Sequence, residues 1–146
     1  MKKNYHELVK GKVYIGGADA ALSAIKEQGI TDVFDLRDDG NAQEGLPVSA
    51  NRHHYPIVEN RNDQEESIKS AIQAVTEAVQ EGKKVSFHCA GGRNRTGTVA
   101  TALLMNLGEA TTVEEAEKLA MERRPDISIK PEMRNVLKNM YEANNS

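Results

Sequence analysis

Several things are missing from this sequence, and each absence narrows its reading. There is a single cysteine, Cys89, which excludes an internal disulfide and any cysteine-rich zinc site. No apolar run approaches the ~20 residues that a membrane-spanning helix needs. The opening residues Met1, Lys2, Lys3, Asn4, Tyr5 and His6 lead into no hydrophobic signal-type segment, so a cytoplasmic location without membrane insertion is expected. A basic tract is missing too. Nineteen lysines and arginines stand against 22 aspartates and glutamates, a formal net charge of −3, which disfavours nucleic-acid binding through bulk charge. No repeat, low-complexity stretch or linker divides the chain, so residues 1–146 read as one domain. That length, with 38% hydrophobic and 28% charged residues, suffices to bury roughly two-thirds of the unfolded surface around one core.

Periodicity divides the chain into strands and helices. Residues 12–16 read as a short strand closed by Gly16-Gly17, and residues 19–28 as a helix burying Leu22 and Ile25 and stopping at Gly29. Residues 31–36 form a second strand, followed by the turn signal Arg37-Asp38-Asp39-Gly40 and a loop over 41–50 with Gly45 and Pro47. Residues 52–57 form a third strand, and Pro56 sets its end near an edge or a loop. Across 64–80, Ile68, Ala71, Ile72, Val75 and Val79 recur as the buried stripe of an amphipathic helix that Gly82 ends. A fourth strand covers 84–88, with Val85 and Phe87 on one face. Residues 96–107 are apolar over most of a helical circumference, which predicts a helix inside the protein. Thr112 and Glu115, at capping-box spacing, open a helix through Leu119, and Pro125 follows it. Pro131 suits the first turn of a last helix carrying Met133, Val136, Leu137 and Met140. Strands separated by helices imply βα units. The expected fold is α/β, a mostly parallel sheet of about four to five strands flanked by helices on both faces. Ligands bind such sheets where loops leave the carboxyl ends of strands, and the stretch after His88 is such a loop.

That loop reads His88-Cys89-Ala90-Gly91-Gly92-Arg93-Asn94-Arg95-Thr96-Gly97. It sets a cysteine at a strand end and an arginine six positions later at a helix start. Backbone N–H groups of a tight glycine-rich loop can turn inward, and the helix N-terminus adds partial positive charge, so the segment forms an anion cradle. Gly91 and Gly92 permit positive φ and close backbone approach. Arg95 can fork two N–H groups onto a tetrahedral oxyanion. Such a field favours the thiolate of Cys89, placed for in-line attack on a bound phosphorus. An ordinary βα turn beside a buried cysteine would leave the two glycines and two arginines of the loop without a purpose.

His88, Cys89, Gly92, Arg95 and Thr96 match the His-Cys-x-x-Gly-x-x-Arg-Ser/Thr signature, and the chain resembles the cysteine-dependent protein tyrosine and dual-specificity phosphatases. The resemblance extends to VYIGG with its following helix, GITDVFDLR, the YPI strand and RRPDI before the final helix. Low-molecular-weight phosphatases and arsenate reductases carry their Cys-x5-Arg near the N-terminus, whereas here it lies past the midpoint. Rhodaneses have a shorter Cys-to-Arg loop and lack the Arg-Thr pair. The resemblance implies a phosphoric monoester hydrolase working through a phosphocysteine formed on Cys89. Arg95 and the loop N–H groups of Ala90, Gly91, Gly92, Arg93, Asn94 and Arg95 would bind the phosphoryl oxygens. Thr96 would hydrogen-bond the sulfur, or cap the helix, or both. His88 would shape the loop rather than shuttle protons. No metal or organic cofactor is implied. The partner is a phosphorylated protein or a small-molecule phosphate, and the oligomeric state stays open.

The leaving oxygen needs a proton, which the family draws from an Asp in the loop after the Pro-containing strand. Here the pattern departs. Glu59 stands at the corresponding distance from Pro56 but is a glutamate; Asp63 is the right residue type four positions late, and its place three before Glu66 also suits an N-cap. Glu59 ranks first and Asp63 second. If neither serves, aryl phosphates with good leaving groups would be favoured.

The remaining polar residues take plainer readings. His53 and His54, adjacent on a strand, point to opposite faces and cannot pair on a metal. Arg37, Arg123 and Arg124 read as salt-bridged or surface groups. Arg93 adds a cation where phosphoinositide phosphatases often carry lysine, although Ala90 replaces their other loop lysine, so a phosphoinositide or other small phosphate is the runner-up substrate. A non-catalytic phospho-binding pseudophosphatase and a persulfide-carrying sulfurtransferase are the alternatives from other classes.

Overall fold

The computed structural model describes residues 4–38, 50–59 and 63–142. The turn and loop expected over 37–50 therefore fall largely outside the described residues. Five strands, β1 (Tyr5–Val9), β2 (Val13–Gly17), β3 (Asp32–Asp35), β4 (Asn51–His54) and β5 (Val85–Cys89), form one sheet in the order β1-β2-β5-β3-β4. All neighbours pair in parallel except β1 and β2, which form an antiparallel hairpin. Five α-helices are described, α1 (Ala21–Gln28), α2 (Gln64–Gln80), α3 (Arg95–Asn106), α4 (Val113–Arg123) and α5 (Pro131–Tyr141), with a 3-10 turn at Ala18–Ala20 leading into α1.

The α/β expectation holds, and β1 is an addition to it. Alternation explains how the sheet buries both faces. Val13, Ile15, Phe34, Val85, Phe87 and Cys89 point into the main core, with α2, α3, α4 and α5 contributing Ile68, Val75, Leu103, Ala120 and Leu137. Tyr14 and Val33, one residue out of phase, face the other way and pack with Ile25, Ile30 and Ala50 in a smaller cluster beside α1. β5, at the sheet centre, is buried at every residue. The long helices flank the sheet as the parallel topology requires.

Most helix assignments survive with shifts at their ends. α2 has the bounds expected from its stripe. α3 is buried from Thr96 through Leu104, as its all-round apolarity required. Thr112 caps α4, accepting a hydrogen bond from Glu115 N at 3.1 Å, but the reciprocal bond goes to Thr111, whose N–H reaches Glu115 Oε2 at 3.4 Å. Pro131 opens α5 as its first residue.

Three expectations need correction. Leu22 is 38% exposed, because α1 packs through Ala21, Ala24 and Ile25 instead. Asp63 occupies the N-cap position of α2, and its carbonyl accepts from Ser67 N at 3.0 Å, but its side chain makes no cap hydrogen bond. The third parallel strand ends at His54 rather than Ile57: Tyr55 N and Ile57 N still reach Asp35 O and Leu36 O, while Pro56 between them has no N–H to offer. No described helix is long and apolar enough to cross a membrane.

Candidate active site

β5 ends at Cys89 and α3 begins at Arg95, so residues 90–94 form the loop at the carboxyl edge of the central strand. On its two sides β5 registers with the glycines of β2, Gly16 beside His88 and Gly17 beside Cys89, and with Asp35 of β3 beside His88. No side chain from β2 therefore stands over the sulfur. Cys89 is 3% exposed, and its Sγ accepts a hydrogen bond from Thr96 Oγ1 at 3.0 Å. Thr96 does not cap α3. Asn94 holds the N-cap position, which puts Thr96 within the first turn with its hydroxyl over the sulfur.

The loop turns sharply at Gly92, where φ is +69°. Gly91 does not need a positive φ, contrary to expectation; the steric demand falls on Gly92 alone. A Cβ at Gly92 would come 2.5 Å from Gly16 C and 2.6 Å from Arg124 Nη2, so the loop lies directly against the end of β2. Arg93 is exposed. Asn94 Oδ1 accepts from Lys130 N at 2.8 Å, and Arg93 O accepts from Ser128 N at 3.1 Å, which ties the loop to the segment before α5.

Arg95 is largely covered. Its Nε lies 3.5 Å from Glu59 Oε1 and its Nη1 lies 3.5 Å from Asp38 Oδ1. The other oxygen of Glu59 accepts from Lys130 Nζ at 2.6 Å, and this bond raises the proton affinity of the lysine. Of the two candidate acids, the structure thus brings Glu59 to Arg95, while Asp63 stands at the head of α2.

His88 is buried on the opposite face of β5, with Nε2 3.3 Å from Asp35 Oδ2. Arg37 adds Nε to Oδ1 at 3.0 Å, Nη2 to Oδ2 at 2.8 Å and its backbone N to Oδ1 at 3.0 Å. Burial pushes the Asp35 carboxyl up, but hydrogen bonds from His88 and Arg37 outweigh it and hold the group well below the usual carboxylate range. His53 bonds Asp32 Oδ2 at 2.8 Å and His54 bonds Arg37 O, the divergence expected of neighbours on a strand. Among the described residues no three His, Cys, Asp or Glu side chains gather as a metal site.

Residues 13–144 match the family model described as dual specificity phosphatase, catalytic domain. The chain belongs to this family. Among curated relatives of this dual specificity phosphatase domain, Dual specificity protein phosphatase PHS1 of Arabidopsis thaliana is 29% identical over 117 residues. The match takes in 77% of the chain but only 13% of that protein's length. Among solved structures, human DUSP28 superposes with a TM-score of 0.81 at 19% identity, covering 100% of this chain and 98% of its own. PTPMT1 in complex with PI(5)P gives 0.76 at 18% identity, covering 97% and 99%. Identities this low speak to the shared fold.

Sequence reasoning misread the residue of this phosphatase domain that is buried behind the loop, and gave no role to Lys130 or Ser128 at its rim. Arg124, read as a salt-bridged or surface group, is fully buried behind residues 91–92. Its Nε donates to Gly92 O at 2.8 Å and its Nη2 to Gly91 O at 3.3 Å. Burial pulls its proton affinity down, and Asp126, Cys89 and Asp19 oppose that. A signal existed. Ala116 and Ala120 lie on the buried stripe of α4, and Arg124, its C-cap residue, continues their four-residue spacing, where a charged side chain must find partners inside. Arg123, by contrast, fits its reading and pairs with Glu109 at 3.0 Å.

Proposed function

We propose that this protein is a cysteine-dependent phosphoric monoester hydrolase of protein tyrosine/dual-specificity type, with residues 1–146 acting as one phosphatase-like unit. The Thr96 Oγ1–Cys89 Sγ hydrogen bond at 3.0 Å, at the floor of the loop, carries the reading. A hydroxyl donating to sulfur stabilises a thiolate both as attacker and as leaving group.

In the first half-reaction the Cys89 sulfur attacks phosphorus, the S–P bond forms and the ester P–O bond breaks. Arg95 leaves its carboxylate neighbours for the equatorial oxygens, and the loop N–H groups of residues 90–95 hold the charge as it redistributes. As Arg95 turns to the substrate, Glu59, the carboxyl group beside it on the side of the β4–α2 connection, takes up a proton from solvent and passes it to the departing oxygen. In the second half, water attacks the phosphocysteine, Glu59 takes back a proton, and thiolate and inorganic phosphate are released. No metal or organic cofactor enters these steps. A reducing cytoplasm is the compartment in which a lone reactive thiol stays reduced.

The expected substrate is a phosphorylated protein. A phosphoinositide or other small phosphate is the second reading, favoured by exposed Arg93 and by Lys130 at the loop rim, and by the fold shared with PTPMT1. The test is turnover of p-nitrophenyl phosphate, abolished by Cys89→Ser, with no sulfur transfer from thiosulfate to cyanide. Full activity in Cys89→Ser would remove the nucleophile assignment. A wild-type protein that binds phosphotyrosine peptide without turnover would instead be a pseudophosphatase.

A further inference from the structure

The family match begins at residue 13, leaving β1 outside it. β1 is nonetheless connected to the phosphate loop through Arg124. An anion cradle needs its backbone N–H groups turned inward, so its carbonyls must turn outward and find donors behind the loop. Arg124 supplies them to Gly91 and Gly92. A guanidinium carries five N–H donors and no acceptor, and remains charged, so once buried it needs acceptors on its other edge as well. Those come from β1. Nη2 donates to Asn4 Oδ1 at 2.7 Å and Nη1 to His6 Nδ1 at 2.8 Å.

The placement follows from alternation. Asn4 immediately ahead of β1 falls in step with His6 and Leu8 within it, and Leu8 is in the core. Because Arg124 only donates, His6 Nδ1 must present its lone pair and carry its ring proton on Nε2. The Asn4 amide is oriented from both ends, since its Nδ2 donates to Asp19 Oδ1 at 3.0 Å. Its backbone carbonyl accepts from Gly17 N at 3.1 Å, and Ala90 O accepts from Ala18 N at 3.2 Å, so the start of β1, the end of β2 and the loop form one hydrogen-bonded block.

We propose that β1 is a working part of the phosphate site: Asn4 and His6 are positioning residues that fix Arg124, and Arg124 holds the Gly91 and Gly92 carbonyls away from the bound oxyanion. The inference rests on the reading above that residues 90–95 bind a tetrahedral oxyanion. The experiment measures inhibition by tungstate, kcat/KM on p-nitrophenyl phosphate and the thermal midpoint for wild type, Asn4→Ala, His6→Leu, His6→Asn and Arg124→Lys. Assays run well below every midpoint, so a merely structural role leaves the inhibition constant unmoved. Removing an acceptor from a charged donor should weaken tungstate and lower kcat/KM about tenfold in Asn4→Ala and His6→Leu. His6→Asn, whose amide oxygen can stand near the Nδ1 position, should recover most of that loss. Arg124→Lys should lose at least as much as His6→Leu; should it fail to fold, the Asn4 and His6 variants decide alone. Tungstate affinity within twofold of wild type in both Asn4→Ala and His6→Leu overturns the proposal, as does a His6→Asn protein no better than His6→Leu. A wild type indifferent to tungstate overturns the oxyanion reading itself, which keeps the two failures apart.

Discussion

At the scale of single residues, the site depends on small groups in forced positions. Gly92 combines a φ of +69° with a close approach to Gly16 and Arg124, so an added methyl group meets backbone on one side and a fixed guanidinium on the other. Gly11 has nearly the same φ, +70°, with nothing within 4 Å of its would-be Cβ. The pair separates backbone strain from site geometry. Each alanine variant should lose about 1–2 kcal/mol from the left-handed conformation alone. Gly92→Ala should in addition lose tenfold or more in kcat/KM, because the loop must move to relieve the overlap. Gly11→Ala should keep wild-type kinetics. Equal kinetics for the two variants would mean that the loop tolerates displacement and that its packing against β2 does not matter for turnover.

At the scale of elements, the proton donor depends on which segment carries it. Glu59 belongs to the connection leaving β4 and reaches Arg95 and Lys130, whereas Asp63 belongs to the start of α2. Glu59→Gln is therefore expected to lower kcat on phosphotyrosine peptide by ~10²-fold or more, with a much smaller effect on a substrate whose leaving group needs no proton. Asp63→Asn should change either rate by less than about threefold. The reverse order would move the acid to the head of α2. Legibility followed the same division. α2 could be read to its ends because seventeen residues repeat one apolar stripe, and β5, the loop and α3 were legible because cysteine, glycine and arginine sit at spacings that only a strand–loop–helix explains. β1 was not. Its sequence YHELV buries only Leu8, so alternation had a single point to act on, and its other inward groups are polar side chains whose partner lies far along the chain. Arg124 escaped for the matching reason: a buried arginine is defined by acceptors on β1 and in the loop, and a one-dimensional pattern does not bring them together. Leu22 shows the opposite error, an apolar residue on a short helix whose buried contacts are made by alanines and Ile25.

At the scale of the whole molecule, fold stability and site architecture meet in the sheet interior. Asp35 and His88 are adjacent in register on the central pair β3 and β5, on the face away from Cys89, and Arg37 closes the group. Burial alone would favour the neutral acid, yet the hydrogen bonds from His88 and Arg37 keep Asp35 ionised. A carboxyl group depressed in the folded state adds stability above its unfolded value of ~3.9 and loses that contribution as pH falls toward its folded value. Asp32, bonded to His53 and Thr31, is lowered too and acts in the same direction. Urea midpoints should therefore change little through this term between about pH 7 and pH 5, then drop as pH falls below about 4. Asp35→Asn removes the buried carboxylate that His88 and Arg37 bond, so at neutral pH it should cost about 3–5 kcal/mol. Below about pH 4 its stability should fall less steeply than that of wild type, since one depressed carboxylate is gone while Asp32 and Glu7 remain to be protonated against their partners. Parallel curves for the two proteins over that acid range would mean that Asp35 is not held as a carboxylate. The cluster beneath the cysteine strand would then be hydrogen-bonded without being charged.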